Sequence, residues 1–160
     1  MGRYHGALRD LIRGLKYRGK KGNLPYVRTF LQACGSFGKM LPRHLWAVPV
    51  PLHPAKEKQR GFNQVEWIFR SWLAEQGIPM ERMLCRTRQT KAQYGLSAKE
   101  RRENLKDAFA AAKDADIRGK NILLADDIMT TGTTFRACAE TLREAGALKV
   151  YGLALASDRV

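Results

Sequence analysis

A chain of 160 residues has the length of one domain and can bury a proper core without disulfides or bound metal. Lys and Arg outnumber Asp and Glu by 29 to 15, a formal net charge of +14, while 44% hydrophobic and 9% aromatic residues exclude a disordered basic tail. No apolar run approaches the roughly 18–20 residues of a membrane span, and Met1 to Lys21 lacks the continuous apolar core and cleavage site of a secretory signal.

Tyr4, Leu8, Leu11, Ile12 and Leu15 recur at helical spacing and predict an amphipathic helix, with Arg9, Arg13 and Lys16 on its other face. Residues 17–23 read as a basic loop punctuated by glycine. Its Gly14-to-Lys20 spacing imitates a Walker A loop, but Lys21 stands where Ser or Thr is needed and no buried strand precedes it. Pro25 suits a helix first turn, and Val27, Phe30, Leu31 and Cys34 continue a helical stripe. Trp46 to Val50 predicts a short buried strand. Pro49, Pro51 and Pro54 then predict a stiff loop. Val65, Ile68, Phe69, Trp72 and Leu73 form the clearest helical stripe, which Gly77-Ile78-Pro79 stops.

A strand is expected around Met83 to Arg86, followed by a polar, basic stretch over 87–107. Within it, Ser97 and Glu100 match a capping box and predict a short helix. Ile122 to Ala125 predicts a second buried strand, Thr134 to Ala145 a helix, and Val150 to Leu155 a last strand. Strand–helix–strand order implies parallel strands and an α/β sheet. The chain divides into an N-terminal helical part (1–45) and an α/β core (46–160) within one domain. Cys34, Cys85 and Cys138 are far apart in sequence and odd in number, which predicts buried free thiols in a reducing cytosol and no zinc site.

The charge is unevenly placed. Residues 1–110 carry 22 basic and 8 acidic side chains, residues 111–160 seven of each. The first two thirds therefore face something anionic: a phosphorylated metabolite, nucleic acid or acidic lipid.

The stretch that carries chemistry is Leu124-Ala125-Asp126-Asp127-Ile128-Met129-Thr130-Thr131-Gly132-Thr133-Thr134. A buried strand runs into two carboxylates, then a hydroxyl-rich loop around one glycine, then a helix. The carboxyl end of a parallel strand is where open α/β sheets bind ligands. Gly132 permits close backbone approach, and successive N–H groups at a helix N-terminus favour an anion. Thr130, Thr131, Thr133 and Thr134 add donors for a phosphate. Adjacent acids do not suit the phosphate itself; they suit sugar hydroxyls, or a Mg²⁺ held partly through water.

These residues resemble the ribose-phosphate signature of type I phosphoribosyltransferases, which bind 5-phosphoribosyl-1-pyrophosphate (PRPP) with Mg²⁺. The resemblance implies that Asp126 and Asp127 hold the ribose hydroxyls beside an oxocarbenium-like transition state, and that Thr130 to Thr134 wrap the 5′-phosphate. It also implies a mostly parallel central sheet flanked by helices, with a basic mobile loop or hood. Val48 to Pro54, Arg60-Gly61-Phe62-Asn63-Gln64, the 86–90 run with Gln93, Arg101, Arg102 and Asn104, and Leu15-Lys16-Tyr17 resemble the ComF family. That family is associated with DNA uptake in natural transformation, acting in the cytoplasm on single strands. Single-stranded DNA and DNA-uptake proteins are the partners so implied. The four-cysteine zinc module that opens many family members has no counterpart among these residues.

On the pyrophosphate side the candidates are His53, Arg60, the backbone of Gly61, Asn63 and Gln64. Arg offers a planar fork matched to phosphate oxygens. Asn63 serves equally as a helix cap, His53 equally as a rigid loop residue, and Lys56 and Lys58 as solvated charges. Arg86, Arg88, Lys91, Gln93, Tyr94, Arg101 and Arg102 mark the central loop. It suits a lid that excludes water, a single-strand surface with Tyr94 stacking a base, or a plain soluble loop.

Overall fold

A computed structural model describes residues 2–18, 21–33, 41–90, 97–105 and 107–158, with backbone alone at 17–18, 98–99 and 101–102. In chain order the elements are β1 (Gly2–Arg3), α1 (Gly6–Arg18), α2 (Leu24–Ala33), β2 (Leu45–Pro49), α3 (Pro54–Arg60), α4 (Gln64–Glu75), β3 (Leu84–Arg86), α5 (Ala98–Leu105), β4 (Phe109–Ala111), β5 (Asn121–Met129), α6 (Thr133–Glu144) and β6 (Lys149–Ser157). A 3-10 turn, Lys21–Asn23, leads into α2. Four strands form one sheet in the order β1-β6-β5-β2, with every pair parallel, while β3 and β4 form a separate antiparallel ribbon. The expected α/β architecture is what the chain adopts.

Side chains on a strand alternate between faces, and β5 separates two cores in this way. Leu123 and Ala125 join Ile12, Leu15, Val27, Leu31, Phe69 and Leu73 beneath α1, α2 and α4. Ile122 and Leu124 join Cys138, Leu142, Val48 and Leu105 on the α6 side. Phe69 is fully buried, so truncating it to alanine would cost about 3–5 kcal/mol. The outer edge of β2 is covered where Ala47 N–H donates to the Pro79 carbonyl (2.8 Å) and the Glu81 N–H donates to the Ala47 carbonyl (2.9 Å). Pro49, which has no N–H to give, ends this outer strand.

The structure departs from the sequence expectation in four places. β5 runs past Ala125 to Met129, so both aspartates stand within the strand. Pairing of Asp126 with Ala154 and of Ile128 with Ala156 in β6 extends it. The stiff loop expected after Pro51 contains α3, whose sequence PAKEKQR has no apolar stripe to announce it. β1 and β4 are likewise too short for periodicity to reveal. Cys138 is buried as expected, but Cys85 is exposed on the uncovered side of the ribbon; Cys34 lies outside the described residues. The capping box is present: the Ser97 N–H donates to Glu100 Oε2 (2.7 Å) and the Glu100 N–H to Ser97 Oγ (3.3 Å). No helix among the described residues is long and apolar enough to cross a membrane.

Candidate functional site

The acidic pair sits on β5, bonded by β6 on one side and by β2, as far as Ala125, on the other. Asp127, 3% exposed, is among the few buried charged residues. Its Oδ2 accepts from Gln64 Nε2 at 3.0 Å and lies 3.6 Å from the Lys16 ammonium. A buried carboxylate needs such partners, because unpaired it would lose its hydration with nothing in return. Asp126 Oδ1 accepts the Asp127 N–H at 2.8 Å. Burial first, and the neighbouring Asp127 charge second, hold the Asp126 carboxyl well above the usual carboxylate range.

Beyond Met129 the chain turns into α6 through Gly132. This residue is the helix N-cap, in the left-handed region (φ 76°), with no side chain capping the first turn. A Cβ built there would meet nothing within 4 Å, so the backbone conformation rather than crowding requires glycine. The Thr131 and Thr133 hydroxyl oxygens are 2.8 Å apart. With Thr130 and Thr134 they line a turn whose helix end favours an anion.

Cations approach from three other elements. Lys16 comes from α1, Lys56 and Arg60 from α3, and Arg86 from the end of β3. The Lys56 ammonium is held below its ordinary pKa by burial and then by Arg86, Arg60 and Lys16. Arg86 is likewise lowered, chiefly by burial, with Cys138 and Asp126 acting in the opposite direction. Its guanidinium lies 5.4 Å from the Phe109 ring centroid and donates to Thr90 Oγ1, but its buried Nε has no partner among the described residues. Mutual repulsion and an unmet donor are what an anion would relieve.

The other expected ligands on this side are engaged in helix caps and buried hydrogen bonds. His53 caps α3, its Nδ1 accepting the Ala55 N–H at 3.2 Å. The Gly61 N–H closes that helix on the Glu57 carbonyl (2.6 Å), which removes it from service as a backbone donor to pyrophosphate. Asn63 caps α4 through Val65 N–H (3.0 Å) while its Nδ2 donates to the Val50 carbonyl (3.0 Å). Gln64 is buried between Arg60 and Asp127. Arg88 donates to the Glu103 carbonyl at 3.4 Å, across the base of the central loop. Lys91, Gln93 and Tyr94 lie outside the described residues, and Arg101 and Arg102 fall on α5 with only their backbone described.

Two cations join the cleft against the sequence expectation. Lys16, expected on the solvated face of α1, stands one helical turn after the buried Ile12, on the inward stripe, and that spacing was the available signal. Lys56 carries no local signal, since α3 itself has none. A separate cavity of about 430 Å³ lies between α5 and α6 and shares Thr133 with the turn into α6.

Residues 37–159 match the phosphoribosyl transferase domain. The chain belongs to that family. Its similarity to named relatives places it in the ComF group. It is 36% identical to Competence protein F of Haemophilus influenzae over 113 residues, 68% of this chain and 49% of that protein. It is 34% identical to the DNA utilization protein YhgH of Escherichia coli K12 over 128 residues, 75% and 52% of the two chains. It is 31% identical to Competence protein ComFC of Bacillus subtilis over 147 residues, 89% and 56%. The chain thus spans about half the length of these relatives. A hypoxanthine phosphoribosyltransferase from Staphylococcus aureus superposes with a TM-score of 0.49 at 17% identity, covering 80% of this chain and 61% of that one.

Proposed function

We propose that this ComF-type chain binds Mg²⁺-PRPP and transfers ribose 5-phosphate to a nitrogen acceptor. The observation that carries the reading is the convergence of Lys16, Lys56, Arg60 and Arg86 on one rim of an acidic pair that ends in a helix N-terminus. A ligand with a phosphate at one end, a sugar diol in the middle and a pyrophosphate at the other matches that order of groups. The Thr130–Thr134 turn would receive the 5′-phosphate, Asp126 and Asp127 the ribose hydroxyls, and the four cations the pyrophosphate.

In the transfer, the acceptor nitrogen bonds to the ribose anomeric carbon as the bond to the pyrophosphate oxygen breaks, and pyrophosphate departs with that electron pair. Positive charge develops on the sugar, where the Asp127 carboxylate opposes it. Negative charge develops on the leaving group, where the guanidinium and ammonium groups oppose it. Fixed charges aimed at developing ones supply most of the barrier lowering in such catalysis. The donor set fits Mg²⁺ as a partly hydrated ion: the described residues bring two carboxylates together but no cluster of three metal-ligating side chains, and Mg²⁺ commonly takes one or two carboxylates plus ligand oxygens. When bound, the ion supplies charge neutralisation of the pyrophosphate. Calorimetry tests the reading: Mg²⁺-dependent PRPP binding is expected, and its persistence in Asp126→Asn/Asp127→Asn would refute the assignment. Pyrophosphate release, measured with and without single-stranded DNA and free bases, separates turnover from binding alone.

A second reading rests on the charge itself. With +14 overall, cations remain after a pyrophosphate has been matched, and relatives bear the names Competence protein F and DNA utilization protein. In that alternative we propose a non-catalytic accessory protein that meets single-stranded DNA in the cytoplasm during DNA uptake, with the PRPP site acting as a sensor. Binding to an oligonucleotide at about 50 mM salt, falling steeply as salt rises, is the expected result. Affinity indifferent to salt would exclude it.

A further inference from the structure

Gln64 is 3% exposed and both ends of its amide are engaged. Arg60 Nη1 donates to Oε1, and Nε2 donates to Asp127 Oδ2 at 3.0 Å. The reverse orientation of the amide would set donor against donor and acceptor against acceptor, so the two charged neighbours fix it. The residue cannot ionise, and its dipole runs from the guanidinium towards the carboxylate. It is also held at its base. Asn63 caps the helix through Val65 N–H, and Phe62 stacks on Trp67 with centroids 3.6 Å apart, the contact between the residue before the cap and the fourth helical residue that fixes a helix entry. Lys16 completes the group at the same Asp127 oxygen that Gln64 bonds, 3.6 Å away.

Under the proposed PRPP function, on which this step rests, Arg60 belongs to the pyrophosphate rim and Asp127 to the ribose half of the site. We infer that Gln64 is a positioning residue that couples the two halves: Arg60 drawn to an anion changes what Oε1 accepts, and the amide carries that change to the carboxylate that faces the sugar. Occupying one half then tightens the other. The chain Arg60–Gln64–Asp127 is contiguous, hydrogen-bonded and buried at its centre, which is the physical form such coupling needs.

The test is a binding cycle on the whole chain in Mg²⁺ buffer, with ribose 5-phosphate and inorganic pyrophosphate as probes, each titrated alone and with the other saturating. The parent protein should show about tenfold tighter binding of either probe when the other is present, within the usual range of such coupling. Gln64→Leu should bring that factor to within about twofold of unity. A merely structural role would weaken both probes and leave the factor unchanged. Coupling through a shared Mg²⁺ would also survive the substitution, so a factor retained in folded Gln64→Leu overturns the inference alone. If Gln64→Leu does not fold, Gln64→Met serves: it keeps the length of the side chain but can neither accept from Arg60 nor donate to Asp127, and it must also lose the coupling. A parent protein that binds both probes independently overturns the relay while leaving the PRPP site in place. One that binds neither overturns the PRPP reading, and the relay with it.

Discussion

Asp126 and Asp127 stand on an interior strand of the sheet, whereas Lys16, Lys56, Arg60 and Arg86 reach the same cleft from three elements at its rim. The first group is contiguous in sequence and its backbone is fixed by the parallel pairing of β5 with β6. The second is scattered over seventy positions (16–86) and assembled only by packing. The last fifty residues are electroneutral, with seven acids and seven bases, and they offer a phosphate backbone N–H groups and hydroxyls; the first 110 supply the excess positive charge. The difference teaches that one site can combine two arrangements of charge, one built into the sheet and one brought up to it. Both carry internal repulsion: Asp126 is raised by burial and Asp127, and Lys56 is lowered by burial and three cations.

The largest effect expected from breaking this contrast is on the acidic side. Asp126→Asn with Asp127→Asn should weaken Mg²⁺-PRPP binding by a hundredfold or more, roughly 3 kcal/mol at about 1.4 kcal/mol per decade, as read by calorimetry. On the basic side, Lys56→Met should cost about tenfold in pyrophosphate affinity, since one exchangeable charge among four is removed. Its melting temperature should not fall, because burial and the neighbouring cations already disfavour that charge. A clear loss of stability in this variant would contradict the repulsion argued for the rim.

Gly132→Ala separates backbone from charge. The left-handed φ of 76° makes any Cβ-bearing residue unfavourable by about 1–2 kcal/mol, a loss of roughly 2–4 °C in melting temperature per kcal/mol for a chain of this size. Ribose 5-phosphate should bind more weakly while pyrophosphate alone is little affected. Equal losses for both probes would mean that the turn serves the whole fold rather than the phosphate.

A separate effect is on pH dependence. Because the folded-state pKa of Asp126 lies above its unfolded value, the unfolded chain ionises first as pH rises. Stability is therefore greatest below about pH 4 with respect to this group, declines above it, and levels off once the folded carboxyl also ionises. Asp126→Asn should flatten that decline and melt higher than the parent at neutral pH. A parent-like pH slope in the variant would show that burial does not oppose the Asp126 charge in the folded chain.

Much of the acidic half was legible along the chain because its parts are adjacent: an apolar run, two acids, threonines around a glycine, then a helix. Even there β5 proved longer than its apolar core, since pairing with β6 extends a strand through polar residues that local pattern reads as a turn. The basic half was legible only as a set of residue types. Asn63, read equally as a pyrophosphate donor or a helix cap, is a buried cap; Gln64, read as a donor in the run RGFNQ, is a buried bridge to a residue 63 positions away. Arg86, read as part of a mobile loop, is half-buried against Phe109, and a cation–π contact across a ribbon leaves no trace in spacing.

The sequence by itself determined the α/β class, the acidic strand with its threonine-glycine turn, and the segregation of charge. Each follows from neighbours within a few residues, where hydrophobic period and turn chemistry act directly. Only the tertiary structure decided that Lys16 faces Asp127, that Lys56 joins Arg60 and Arg86 at one rim, and that Gln64 lies between cation and carboxylate. Those placements depend on how α1, α3 and α4 pack against the sheet. Packing is set by the burial of apolar faces far from the site, so polar side chains at helix ends are carried to positions that their own neighbours do not specify.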